Sequence, residues 1–185
     1  MINLNNLIGV LWFIFILYWA ISAIGVKKNI HNNEWRRNVG IRILLVVLVI
    51  IALQFSSFWR FFGYQSNFIV QLIGVALCVL GMVFAVWARW HLGKNWSGTP
   101  SIKENHELVT SGPYRFVRHP IYTGMLVALL GSAFTGGVVW LAIFIIFCVN
   151  FLYRVPLEER YMMQIFPQEY PEYKKKTKIL IPFLW

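Results

Sequence analysis

"IYTGMLVALLGSAFTGGVVWLAIFIIFCVNFLY", residues 121–153, runs for 33 residues without a charge. As one straight helix it would extend about 50 Å, against a bilayer hydrocarbon core of about 30 Å. Two full-length spans do not fit into it either. Gly136-Gly137 lies at its midpoint, and adjacent glycines turn a chain at the least steric cost. The stretch therefore predicts a helical hairpin with short arms, roughly 121–134 and 138–153. Such arms require contact with other helices or local thinning of the bilayer.

Three further apolar runs precede it. "LIGVLWFIFILYWAISAIGV" covers residues 7–26, a second run lies at about 41–58, and a third at about 68–87. Each approaches the ~20 residues that a spanning helix needs. With the hairpin they predict an all-α, polytopic membrane protein with five transmembrane helices in a single domain, 1–185. The first run follows Met1 with no basic leader and no A-x-A site, so it reads as a span rather than a cleaved signal.

Composition agrees. The chain is 58% hydrophobic and 17% aromatic, with a mean hydropathy of +0.61. Its net charge of +10 would suit a nucleic-acid partner only if the charges clustered on a polar domain. Instead they flank apolar runs, which excludes nucleic acid and points to topology. Sixteen of the seventeen Lys and Arg fall in 27–42, 89–118 and 154–178, and only Arg60 falls elsewhere. This bias predicts an outside N-terminus and a cytoplasmic C-terminus. All seven Glu and all four His share the cytoplasmic side, so a site would face the cytoplasm. The Lys run at 174–178 is expected to lie against anionic headgroups, and Trp90, Trp96 and Trp185 to anchor at the interface.

Some chemistries fail by absence. There is no Asp, the two cysteines sit singly in apolar runs, and no His spacing suits a metal, so none is expected. No phosphate-binding or nucleophile-elbow motif occurs.

Three polar stretches remain. In "SGPYRFVRHPIYTG", residues 111–124, Pro120 suits the first position of a helix, which puts His119 at or near the N-cap. The helix dipole and Arg118 favour a neutral imidazole there, and the free N–H groups favour an anion. Arg115 and Arg118 read first as snorkelling anchors. In "RVPLEER", residues 154–160, Arg154 and Glu158 share a helical face, as a simple ion pair or as part of a site. A short helix is expected from Pro156 to about Phe166. In "HELVTSGPY", residues 106–114, Leu108 and Val109 interrupt a polar loop and either anchor it or cover a flat ring.

Taken together, "HELVTSGPYRFVRHPIYTG" (106–124) and "RVPLEERYMMQIFPQEYPEYKKKT" (154–177) resemble the membrane-embedded isoprenylcysteine carboxyl methyltransferases, in a wider group with the phospholipid N-methyltransferases. The resemblance covers about residues 90–182, a catalytic core, and leaves the first two helices (1–62) as a variable part. It implies S-adenosylmethionine as cofactor, held in a cytoplasmic pocket. The family's cofactor positions fall on His106, Glu107, Leu108, Val109, Tyr114, His119, Pro120, Ile121, Tyr122 and Glu158. Its acceptor-binding arginine falls on Arg154, so Arg154 and Glu158 would carry the chemistry. A further polar contact falls near Thr99, where the sequence diverges from the family pattern. The implied reaction is methyl transfer to a lipophilic acceptor reached from the bilayer, foremost an isoprenylcysteine-type carboxylate. A phospholipid or small-molecule N- or S-methyltransferase is the alternative. A sterol-reductase-like, NADPH-dependent reductase is the second, since Arg115, Arg118 and Arg160 would suit its phosphate. A non-enzymatic scaffold or small transporter is disfavoured by the lack of a charge within any span.

Overall fold

The computed structural model describes residues 4–24, 67–96 and 107–181. Their helices are α1 (Leu4–Ser22), α2 (Phe68–Leu92), α3 (Pro120–Gly136), α4 (Val138–Ile165) and α5 (Glu169–Lys176), with 3-10 turns at Gly93–Asn95 and Gly112–Arg115. Among the described residues the one strand-like pairing is a parallel bridge between Val117 and Lys178. Helices α1, α2 and α4 are long and apolar enough to cross a membrane, whereas α3 has only 17 residues. The run at 41–58 lies outside the described residues.

Element boundaries depart from expectation most at the ends of α2 and α4. Helix α2 continues past Trp87 to Leu92 and buries Ala88 and Arg89 in its last turns. Helix α4 does not stop at Tyr153, and no new helix begins at Pro156. It runs unbroken to Ile165 with Pro156 inside it. The proline ring deletes one backbone bond, to the carbonyl of Leu152, but fixes a φ that a helix accepts. The turns on either side hold the helix together. Gly137, at φ 80°, separates α3 from α4, and the two helices pack on each other.

The centre of the molecule is the contact between α2 and α3. Gly74 and Gly81 on α2 face Gly131 and Gly124 on α3, each pair seven residues apart. A Cβ added at Gly124 would stand 2.6 Å from the backbone nitrogen of Ala85 and from the carbonyl of Gly81. In lipid there is no hydrophobic drive between helices, so small residues that let backbones touch supply the contact energy. Thr135 donates to the carbonyl of Gln71 at 3.1 Å across the same seam.

Helix α1 docks on this pair by one stripe. Ile8, Trp12 and Phe15 are buried, while Val10, Phe13, Ile14 and Leu17 face outward. An apolar outer face suits lipid, and the chain is an integral membrane protein. Trp12 stacks on Trp140 at 5.6 Å, and its indole N–H donates to the hydroxyl of Ser132 at 2.9 Å. Ser132→Ala would leave that buried donor unpaired and should cost about 1–3 kcal/mol, seen as a lower melting temperature in detergent.

Candidate active site

The site begins in the chain that leads to α3. Gly112 turns with φ 59°, and a Cβ there would meet the His91 ring at 2.8 Å. The His91 ring instead lies along the turn, its Nε2 2.8 Å from the Ser111 hydroxyl. Gly112→Ala adds a left-handed penalty to this clash and should cost about 1–2 kcal/mol or more, again readable as a lower melting temperature. Beyond the turn, Tyr114 packs with Ala88 and Ile121, and Val109, Trp96 and Tyr122 lean on that cluster. Burial pushes the Tyr114 phenol well above its ordinary pKa, so it stays protonated. Its hydroxyl donates to the carbonyl of Ala88 at 3.4 Å.

His119 is the N-cap of α3 and Pro120 its first residue, as their order in the sequence leads one to expect. The His119 side chain makes no capping bond. What fixes this helix start is the far end of the chain. The Arg118 N–H donates to the carbonyl of Lys178 at 2.8 Å and the His119 N–H to that of Ile179 at 3.1 Å. The Thr123 hydroxyl donates to the carbonyl of Leu180 at 2.7 Å. Tyr173, buried on α5, donates to the carbonyl of Tyr114 at 2.6 Å. Its phenol too is pushed up by burial.

Helix α4 supplies the other half. Arg154 Nη2 donates to Glu158 Oε1 at 3.3 Å, one turn along. The same oxygen accepts the Tyr122 hydroxyl at 2.5 Å. The start of α3 and the later turns of α4 thus meet on one carboxylate. His119 Nδ1 stands 3.6 Å from Glu158 Oε2. The rings of His119, Tyr122 and Phe151 form a stack, with centroids 5.5 and 4.0 Å apart and planes within 9°. Arg154 approaches the Tyr122 face at 5.9 Å.

The structure therefore brings Tyr122, His119, Arg154 and Glu158 together, with Tyr114 behind them. Pro120 and Ile121 are buried and serve as packing. Glu107 is exposed and Leu108 half-buried, and among the described residues neither joins the hydrogen bonds around Glu158. His106 and Thr99 lie outside the described residues.

Two side chains differ from expectation. Arg118 is not a snorkelling anchor. It is 8% exposed, and its Nε donates to Glu159 Oε1 at 2.7 Å. Lys174 is turned inward from the basic run, onto Glu159 Oε2 at 2.6 Å. Trp96 lies under the Arg89 guanidinium at 4.5 Å. Arg89 itself went unnoticed in the sequence. It is buried and bonds to the carbonyls of Ser22 and Gly93, at the ends of α1 and α2. Two helix C-termini carry partial negative charge, which is what a buried guanidinium requires. A basic residue four before a Gly at a helix end was the available signal.

Residues 69–169 match the family model described as phospholipid methyltransferase, more than half of the chain. The chain belongs to the phospholipid methyltransferase family. It is 27% identical over 144 residues to protein-S-isoprenylcysteine O-methyltransferase B of Arabidopsis thaliana, covering 75% of this chain and 73% of that protein. To the protein-S-isoprenylcysteine O-methyltransferase of Schizosaccharomyces pombe it is 31% identical over 140 residues, 74% of this chain and 58% of that protein. The solved eukaryotic intramembrane Ras methyltransferase, isoprenylcysteine carboxyl methyltransferase, shares the fold with a TM-score of 0.60 at 23% identity. The alignment covers 84% of this chain and 55% of that structure, so the chain spans about half its length. The family region takes in both halves of the candidate site, from Tyr114 to Glu158.

Within this family member, one observation bears on a cofactor. His119 Nε2 is buried and makes no hydrogen bond. The ring sits at the N-terminus of α3 between two carboxylates, with Nε2 3.8 Å from Glu159 Oε1 and Nδ1 3.6 Å from Glu158 Oε2. A polar ligand with a cationic centre would fit that surface, with Glu158 as acceptor for its cationic or hydroxyl group.

Proposed function

We propose that the chain is an S-adenosylmethionine-dependent membrane methyltransferase that esterifies a lipophilic carboxylate, of the isoprenylcysteine type. The observation that carries this reading is the shared carboxylate of Glu158, which ties Tyr122 at the start of α3 to Arg154 on α4. Bound S-adenosylmethionine supplies a methyl group on a sulfonium, open to in-line attack by an oxygen. The protein's part is positioning, which alone can supply several kcal/mol of a methyl-transfer barrier. His119 offers a ring face backed by Tyr122, Tyr114 walls the slot, and Glu158 orients both Tyr122 and Arg154. Arg154 clamps the acceptor carboxylate through charge-assisted bonds. With Leu108 and Val109, and with Glu107 and His106 at the loop's start, the cofactor would be closed in from the cytoplasmic side.

The topology that goes with this reading has five spans, with α3 and α4 as the closing hairpin, the N-terminus outside and the C-terminus cytoplasmic. The single domain then has its catalytic core at about 90–182. The acceptor reaches Arg154 from the bilayer and the cofactor enters from the cytoplasm. Family membership removes the ground for the reductase alternative. An amine acceptor is disfavoured by Arg154, because a guanidinium attracts a carboxylate and has no lone pair to hold an amine N–H.

Purified protein in detergent, given methyl-labelled S-adenosylmethionine and an isoprenylated cysteine with a free carboxylate, should yield a labelled ester. Base releases that label as methanol, whereas an N-methyl label stays. Label that survives base, or appears only with a phospholipid amine, moves the acceptor to the alternative class. No binding of S-adenosylmethionine by calorimetry ends the reading altogether.

A further inference from the structure

Glu158 and Glu159 are consecutive on α4, so their side chains leave the helix about 100° apart. Glu158 turns to Tyr122 and Arg154. Glu159 turns the other way and is 5% exposed. Its Oε1 accepts from Arg118 Nε at 2.7 Å and its Oε2 from Lys174 Nζ at 2.6 Å. Arg118 in turn donates through Nη1 to the carbonyls of Thr177 and Lys174. Glu159 Oε1 also lies 3.8 Å from the unbonded His119 Nε2. One carboxylate therefore touches the residue before the helix cap, the cap residue itself and the C-terminal segment.

Lys174 is that segment's charged link to α4. Residues 170–181 are held to the site by the backbone bonds to Lys178 and Ile179 at the Val117–Lys178 bridge, the Thr123 bond to Leu180 and the Tyr173 bond to Tyr114. Each lies within five residues of His119. The segment is a strap across the start of α3, and Glu159 is the point where α4 grips both the strap and what it straps.

Resting on the methyltransferase reading, we propose that Glu159, with Arg118 and Lys174, is a positioning unit that sets the cofactor half of the site: the C-terminal strap, locked by Glu159, holds His119 and Tyr122 in their binding geometry. The two glutamates divide the labour. Glu158 faces the reacting groups, and Glu159 holds the surface on which the cofactor sits. Arg118 cannot be replaced by lysine without loss. A lysine reaches Glu159 from one nitrogen only, whereas the guanidinium serves the carboxylate and two carbonyls at once.

The test uses the full chain in detergent. Lys174→Met is the gentle variant, because the lysine side chain is 43% exposed. It should raise the Kd for S-adenosylmethionine about three- to fivefold, and Lys174→Arg should restore it. Glu159→Gln should raise it about tenfold or more. In both, the loss falls on the KM for the cofactor rather than on kcat at saturation, and hydrogen exchange in 170–181 speeds up. Wild-type protein that binds no S-adenosylmethionine defeats the methyltransferase reading. Wild-type protein that binds, with Kd unchanged in Lys174→Met and Glu159→Gln, overturns the positioning unit alone, as does a lower melting temperature with no change in Kd. If Glu159→Gln fails to fold, the Lys174 pair decides.

Discussion

Gly124→Val should leave no folded protein, with the chain lost to aggregation on extraction into mild detergent. The Cβ alone would sit 2.6 Å from two backbone atoms of α2, the Ala85 nitrogen and the Gly81 carbonyl oxygen. Backbone cannot rotate away as a side chain can, so α2 and α3 must move apart. That separation breaks the contact at Gly131 as well, where an added Cβ would meet the Cys78 nitrogen at 2.5 Å. Overpacking by a methylene commonly costs about 1–3 kcal/mol. Here a three-carbon side chain faces immovable backbone and the whole seam must open, so the cost approaches the ~5–15 kcal/mol of a typical domain's stability. Gly9→Ala is the control. Nothing lies within 4 Å of an added Cβ on that face of α1, so the substitution should be neutral or slightly stabilising. Comparing monomeric yield and melting temperature of the two variants checks the expectation. A well-folded Gly124→Val would mean that the seam has slack.

Glu158→Gln should keep the fold and lose the reaction. The amide is isosteric and still accepts the Tyr122 hydroxyl, so the melting temperature should move by no more than a few degrees, about 1 kcal/mol. It no longer balances Arg154, which sits on the same oxygen. Truncating one partner of a close charge pair commonly costs about 2–5 kcal/mol at a binding surface. Methyl transfer should therefore fall on the order of a hundredfold or more. Tyr122→Phe removes one donor to the same carboxylate and should fall by about tenfold. An active Glu158→Gln would remove Glu158 from the chemistry and leave it a helix-face ion pair with Arg154.

The candidate site was legible where local rules suffice. Pro120 after His119 marked a helix start, and i,i+4 spacing put Arg154 beside Glu158. Family likeness pointed to Tyr122 and Tyr114. What stayed hidden depended on chain segments far apart in sequence. Nothing near Arg118 reveals that Glu159, 41 residues on, would bury it, nor that Lys174 would turn from a basic run to complete the pair. The seven-residue spacing of Gly74 with Gly81 and of Gly124 with Gly131 was visible, but it gained meaning only as a pair of facing stripes.

By itself the sequence determined the class: apolar runs of spanning length make helices, because a backbone in lipid must satisfy its own hydrogen bonds. It also determined where α3 starts and that a glycine divides it from α4, since proline and glycine act through their own φ. Tertiary structure decided that α4 runs through Pro156, because a single lost bond is small beside the bonds of the turns around it. It decided too that Glu158 meets Tyr122 and Arg154 while its neighbour Glu159 meets Arg118 and Lys174. That choice rests on the rotation of α4 against α3 and on a C-terminal strap that returns to the start of α3. Both are fixed by packing between segments that no local pattern relates.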